Sequence, residues 1–167
     1  MKAKNLIQKI LIILFIFSSV PIQAQTRVGV FLTYGDHQEN LGIGALGEFF
    51  LTDQISIAPN VIYFFPKDDT EFLSEDHWVD LNLNGNYYFP TGGTVVPYVL
   101  AGLNYSMRKY EFDGGGSEDA NTLGFNLGGG ADFDFDSSFI PFAQVRYAIS
   151  DSGQLVIPAG VKIELSE

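Results

Sequence analysis

The 167-residue sequence is long enough for one domain, sets 20 acidic residues against 9 basic ones for a net charge of −11, and contains no cysteine. Without cysteine there are no disulfides, thiolate metal sites or cysteine nucleophiles, and no lipid-anchoring cysteine of a lipoprotein. The negative balance disfavours nucleic acid and anionic lipid surfaces as partners.

Residues 1–24 read as a cleaved export signal. Lys2, Lys4 and Lys9 give a positive start, Ile10 to Phe17 a wholly apolar core, and Ser18 to Ala24 a cleavage region of small and helix-breaking residues. The apolar run is well short of the ~20 residues a spanning helix needs. A cut after Ala24, with Ile22 where alanine is usual, leaves residues 25–167 as the mature domain. It removes three lysines and no acid, which takes the net charge from −11 to −14.

In the mature chain no segment keeps a 3.6-residue apolar period for three turns. Eight segments of roughly 9–14 residues read as strands instead, long for a soluble sheet and suited to tilted membrane strands. They are Arg27–Gly35, Leu41–Leu51, Ile55–Phe65, Trp78–Phe89, Val95–Tyr110, Thr122–Asp136, Phe139–Ile149 and Leu155–Leu165. The fourth alternates without a break. Val79, Leu81, Leu83, Gly85, Tyr87 and Phe89 share one face, and Asp80, Asn82, Asn84, Asn86 and Tyr88 share the other. The fifth sets Val95, Val99, Leu103 and Tyr105 against Tyr98, Leu100, Asn104 and Ser106, and the sixth sets Leu123, Phe125 and Leu127 against Thr122, Asn126 and Asp132.

The connections alternate in length. Thr52–Gln54, Pro90–Thr94 and Ser137–Ser138 are tight, whereas Asp36–Asn40, Pro66–His77, Glu111–Asn121 and Ser150–Gln154 are longer and acidic. Outer-membrane barrels place short turns in the periplasm and longer loops outside, and an even strand count puts both termini in the periplasm. With the first strand running outward, Tyr34, Tyr63, Phe65, Trp78, Tyr105 and Tyr147 fall near the outer rim. Phe49, Tyr87, Phe89, Phe133, Phe135 and Phe139 fall near the inner one, as two interfacial belts require.

Charge parity sets the orientation of the sheet. Glu48, Asp80, Arg108, Asp132, Asp134, Arg146, Lys162 and Glu164 all occupy the polar parity. Facing lipid, each would cost up to several kcal/mol near mid-membrane, so the polar wall is expected inside and the apolar wall against lipid. The interior of an eight-stranded barrel is only wide enough for side chains, and a filling network of charges and carboxamides is expected there.

With VVPYVLAGLNYS after a short turn, TLGFNLGGGADFDF followed by FIPFAQVRYAIS, and the closing LVIPAGVKIEL, the whole mature chain resembles the small outer-membrane β-barrel family, the OmpX/OmpA-like eight-stranded barrels. The resemblance implies an all-β, eight-stranded antiparallel up-and-down transmembrane barrel in the outer membrane of a Gram-negative bacterium. It also implies that Gly160, Ile163 and Leu165 carry the pattern read by the barrel assembly machinery, with Leu165 where an aromatic is usual. Barrel enzymes acting on lipid A or phospholipids resemble this layout as well, with a rim histidine beside a serine or an acid. His37 and His77 would be the candidates, near Asp36, Asp76, Asp80 and Ser106.

Other motifs carry less. Gly42, Gly44 and Gly47 match the dinucleotide-binding spacing, but no helix follows to receive a pyrophosphate. The acids Asp68, Asp69, Glu71, Glu75 and Asp76, and Glu111, Asp113, Glu118 and Asp119, suit hard divalent cations but lack EF-hand spacing. They suggest weak cation bridging to lipopolysaccharide and no defined metal or cofactor site. Asn104 heads a glycosylation sequon within a strand. The function expected is that of a monomeric, non-enzymatic outer-membrane barrel with a plugged polar lumen and acidic surface loops, in a structural or surface-interaction role. The alternatives are a narrow porin-like channel, a lipid-modifying barrel enzyme and a soluble lipocalin-like calyx.

Overall fold

The computed structural model describes residues 25–36, 40–66, 73–112, 116–150 and 153–165, with backbone alone at 73–77, 109–112 and 116–119. The export signal expected over residues 1–24 lies outside the described residues. The strands are β1 (Thr26–Gly35), β2 (Asn40–Phe50), β3 (Ile55–Phe64), β4 (Leu73–Tyr88), β5 (Val95–Phe112), β6 (Gly116–Phe133), β7 (Phe139–Ile149) and β8 (Gln154–Leu165). Each pairs antiparallel with its neighbours in chain order, and β1 pairs with β8, so the sheet closes on itself. There is no helix among the described residues.

Period-two alternation explains why these segments form one closed sheet. Along every strand one parity is buried in the interior and the other is exposed on the outer wall. The exposed parity is apolar, with Val30 and Leu32 each 64% exposed and Leu123 65% exposed. Glu48, Asp80, Asp132, Arg146 and Lys162 are all buried on the opposite parity. The calyx alternative required the apolar parity inside, and the observed burial is the reverse.

Register fixes the barrel's size. Following paired residues once around, from Thr26 through Phe49, Ile57, Gly85, Ala101, Leu127, Tyr147 and Leu155, leads to Asp36, whose N–H donates to the carbonyl of Leu155 at 3.0 Å. The circuit therefore climbs ten positions along the chain. With strands about 4.8 Å apart and rising about 3.3 Å per residue, that stagger gives a tilt of about 40° and a backbone radius of about 8 Å. Inward side chains from opposite walls must meet at this radius.

Two expectations are corrected. The sixth strand does not begin at Thr122 but at Gly116, and β5 runs to Phe112, so the segment Glu111–Asn121 is mostly paired strand. β4 likewise starts at Leu73, inside the segment expected as a loop. The connection 113–115 is shorter than 89–94, so loop length does not alternate as expected. The extra chain at that end is spent on longer strands. The second correction concerns Trp78, expected in the outer aromatic belt. It shares the parity of Asp80 and is buried inside, 1% exposed.

Prolines interrupt two ladders. Opposite Pro59 and Pro158 the register is kept, but pairing lapses between Leu46 and Phe49 on β2 and between Ala143 and Arg146 on β7. Proline has no N–H to donate to a neighbouring strand.

Candidate functional site

The interior is the only place where this chain gathers buried charge among its described residues. Toward the end holding the tight turns and both described termini, Lys162 on β8 is the hub. Its ammonium donates to Glu48 Oε2 at 2.9 Å, Asp132 Oδ1 at 2.9 Å and the Tyr88 hydroxyl at 2.9 Å, which uses all three of its donors. Glu48 Oε1 accepts from Tyr88 at 2.6 Å, Ser56 at 2.7 Å and Asn86 at 2.9 Å. Asp132 is also paired with Arg27 Nη1 at 3.2 Å, and Arg27 bonds Glu164 Oε2 through Nε and Nη2 at 3.3 Å. Arg27 lies over the Phe50 ring at 4.7 Å. A charge this deep survives only when paired and hydrogen-bonded, and here six strands, β1, β2, β3, β4, β6 and β8, supply the members of the network.

Next to this cluster runs a carboxamide ladder. Asn104 donates to Asn82 at 2.9 Å, Asn82 donates to Asn60 at 2.9 Å, and Asn126 donates to Asn82 and Asn84 at 2.9 Å each. These residues come from β3, β4, β5 and β6. Asn60 faces Asn82 and Asn82 faces Asn104 in the register.

Apolar clusters interleave with the polar groups, and Tyr88 belongs to both. Phe31, Ile62, Phe64, Trp78, Phe142 and Val156 form one cluster, and Phe50, Tyr88, Tyr98 and Leu100 form another. Phe31 meets Phe142 edge-to-face at 6.0 Å. Gly44 makes room for this packing, since a Cβ there would sit 2.2 Å from the Phe31 ring. The network of charges and carboxamides expected from the sequence thus shares the interior with aromatic side chains.

The residues singled out from the sequence divide between the two halves. Glu48, Asp132, Lys162 and Glu164 meet in the hub. Asp80, Arg108 and Arg146 lie in the other half, where Asp80 Oδ1 accepts from Trp78 Nε1 at 2.6 Å and from the Ser106 hydroxyl. Arg108 stacks over the Trp78 ring at 3.6 Å. Asp134 does not join either group. It is exposed, and its Oδ1 caps the turn by accepting the N–H of Asp136, whose φ is 54°. Gly160 is inward-facing and half-buried, whereas Ile163 and Leu165 are exposed on the outer wall.

Sequence reasoning missed Arg27, which stands on the same parity as Phe31 and Thr33 and was readable from it. It also missed the spacing of the ladder: Asn60, Asn82, Asn104 and Asn126 recur every 22 residues, a period matching one strand plus its connection. His37 lies outside the described residues, and His77 is described only as a β4 backbone position opposite Lys109. Asp68, Asp69, Glu71 and Asp113 also lie outside, and Glu75, Asp76, Glu111, Glu118 and Asp119 are described only as strand backbone. Among the described residues no three His, Asp or Glu side chains converge in a metal-holding arrangement.

This closed eight-stranded meander can be set beside known proteins. The family model described as the outer membrane protein beta-barrel domain matches residues 11–162. The chain belongs to that family. Membership places it among outer-membrane β-barrels, and so in the outer membrane of a Gram-negative bacterium. Solved barrels share its fold. Neisserial surface protein A is 12% identical over 85% of this chain and 97% of its own, with a TM-score of 0.67. The N-terminal β-barrel domain of Pseudomonas aeruginosa OprF is 21% identical over 86% and 100%, with a TM-score of 0.66. Ail, the attachment invasion locus protein of Yersinia pestis, is 14% identical over 84% and 97%, with a TM-score of 0.59. No curated protein matches the chain. Within the outer membrane protein β-barrel family, the exposed Val, Leu and Ile wall is the lipid-facing surface, and the interior described above is what remains for function.

Proposed function

We propose that this member of the family is a non-enzymatic outer-membrane anchor that presents an acidic, projecting sheet to partners outside the cell. The observation that carries the reading is the length of three strands. β5 and β6 each have 18 residues and pair as far as Phe112 with Gly116. The β3 ladder to β4 ends at Phe64 with Trp78, and the β7 ladder to β6 ends at Ile149 with Phe125. β4, β5 and β6 therefore continue as a three-stranded sheet after their neighbours stop. Its sequence there includes Glu75, Asp76, Glu111, Glu118 and Asp119. An end built from longer elements is the extracellular end in this class of barrel, which puts the tight turns and both ends of the domain in the periplasm. An export signal in residues 1–24 fits the same reading.

A plugged lumen is the second part of the proposal. The Lys162 hub, the asparagine ladder and two aromatic clusters occupy a cylinder of about 8 Å backbone radius, which leaves no continuous bore. A narrow channel is the competing reading. In reconstituted planar bilayers the plugged barrel is expected to be silent, and stepwise conductance of an open pore would refute it.

Ail has been solved with the heparin analogue sucrose octasulfate. The acidic sheet here disfavours such a polyanion and suits cationic partners, or lipopolysaccharide bridged weakly by divalent cations. Barrel assembly machinery is the partner expected during insertion. Replacing residues 109–119 by a short turn tests the anchor reading. The barrel should still fold, with gel mobility that changes on boiling, while cells carrying it lose cation-dependent surface binding. Unchanged surface binding would refute the role of the projecting sheet.

A further inference from the structure

The first described residue, Gln25, is held at the inner end of the seam between β1 and β8. Its carbonyl accepts the Phe50 N–H at 3.2 Å, so the β1–β2 ladder starts from that oxygen. Its side-chain Nε2 donates to Glu164 Oε1 at 3.1 Å. That carboxylate is itself fixed. Arg27, opposite Glu164 in the register, holds Oε2 through Nε and Nη2 at 3.3 Å each, and the Glu164 N–H donates to the Ser138 carbonyl at 3.0 Å. Gln25 and Glu164 are 139 residues apart, so the bond between them exists only when β8 has paired with β1. Gln25 is exposed to solvent.

We infer that Gln25 is a modification site, an amino-terminal glutamine that cyclises to pyroglutamate, and that closure of the seam controls the reaction. The inference rests on the export signal expected over residues 1–24, whose removal after Ala24 makes Gln25 the first residue. The neutral α-amine attacks its own side-chain Cδ and a lactam N–Cδ bond forms. The Cδ–Nε2 bond breaks, and Nε2 leaves as ammonia with the proton lost from the amine. No oxidant or cofactor takes part, the mass falls by about 17 Da, and the terminal charge is removed. The fold accommodates the product, because the ladder uses the Gln25 carbonyl, which the lactam leaves intact. The closed barrel resists the reaction itself. Cδ reaches the α-nitrogen only when the side chain folds back, whereas the amide in the barrel is turned to Glu164. An open chain has no such tether, so cyclisation belongs to the time before the seam closes. The lactam end then offers no free amine to an aminopeptidase.

The test follows the amino-terminal peptide by mass. The chain is released from a cleavable leader so that Gln25 is first. It is then held at pH 8, where an α-amine of ordinary pKa, about 7.7–8.0, is at least half neutral. One sample is unfolded in guanidinium chloride and one is folded in zwitterionic liposomes. The unfolded chain should lose one ammonia progressively, and the folded barrel at least about threefold more slowly, the worth of one exposed charge-assisted hydrogen bond. Glu164→Ala should bring the folded rate close to the unfolded one while gel mobility still changes on boiling. Glu164→Gln, which keeps an acceptor, should stay slow. If Glu164→Ala does not fold, the two rates of the parent carry the test. Equal rates in the folded and unfolded parent, or a folded Glu164→Ala as slow as the parent, would overturn the inference. Protein exported by cells separates the inference from its premise. A chain that starts at Gln25 and is lighter by one ammonia supports both. One that starts at Gln25 with its full mass overturns the inference alone, and one that starts elsewhere overturns the cleavage on which it rests.

Discussion

Replacing Lys162 with methionine isolates what holds the interior together. The substitution keeps the length of the stem and removes an ammonium that donates to Glu48, Asp132 and Tyr88 within 2.9 Å. The two carboxylates are not left in the same position. Asp132 keeps Arg27 at 3.2 Å, whereas Glu48, fully buried, keeps only the neutral donors Ser56, Asn86 and Tyr88. Breaking a buried pair by removing one partner costs about 3–5 kcal/mol, because the other charge is stranded. With a urea slope of about 1–3 kcal/mol per molar for a chain of this size, the unfolding midpoint should fall by about 2 M. The assay is urea unfolding of the barrel in liposomes, followed by Trp78 emission. If the stranded Glu48 is the cause, adding Glu48→Gln to Lys162→Met should restore part of the loss. A single variant within about 1 kcal/mol of the parent, or a double variant weaker than the single, would refute the reasoning.

Three further outcomes are expected. Gly160→Ala places a methyl 2.2 Å from the Val30 carbonyl and 2.5 Å from Phe31 Cβ, and should cost about 1–3 kcal/mol in unfolding experiments without any assembly factor. A defect seen only in cells would instead point to Gly160 as an assembly signal. Leu83→Arg, on the exposed wall opposite Leu103, should cost up to about 2–4 kcal/mol in bilayers and much less in a detergent that yields around the charge. Asn126→Leu removes the donor shared by Asn82 and Asn84 and should destabilise by about 1–3 kcal/mol, measured by the same urea titration.

The sheet was legible in the sequence wherever one face meets lipid and the other meets the interior. β7 is expected at Phe139–Ile149 and is found there, β1, β3 and β8 differ by one residue at one end, and β2 by one residue at each end. The outer part of β6 was not legible. Gly116 to Asn121 reads GSEDAN, with no apolar parity, because a strand with no apolar environment on either side gains nothing from alternation. Its strand character comes from pairing with β5. For Trp78, parity and not nearness to a strand end decides the side it takes, and it shares the inward face of Asp80. Its indole N–H also needs a buried acceptor, which Asp80 supplies. The inward aromatics Phe31, Phe50, Phe64 and Phe142 are not legible from polarity alone, because an interior shut off from water is filled by rings as well as by polar groups.

The closing ladder has a consequence for how the barrel comes into being. β1 joins β8 from Thr26 with Leu165 to Gly35 with Val156, so the seam links the two ends of the described chain. The Lys162 hub straddles that seam: Arg27 comes from β1, Glu48 from β2, Asp132 from β6, and Lys162 and Glu164 from β8. A sheet of the first seven strands would hold Glu48 without its cation. Final zippering and charge neutralisation are therefore one event, late because its contacts are the most distant in sequence. Intermediates open at the seam should be scarcely populated, and assembly should behave as all-or-none.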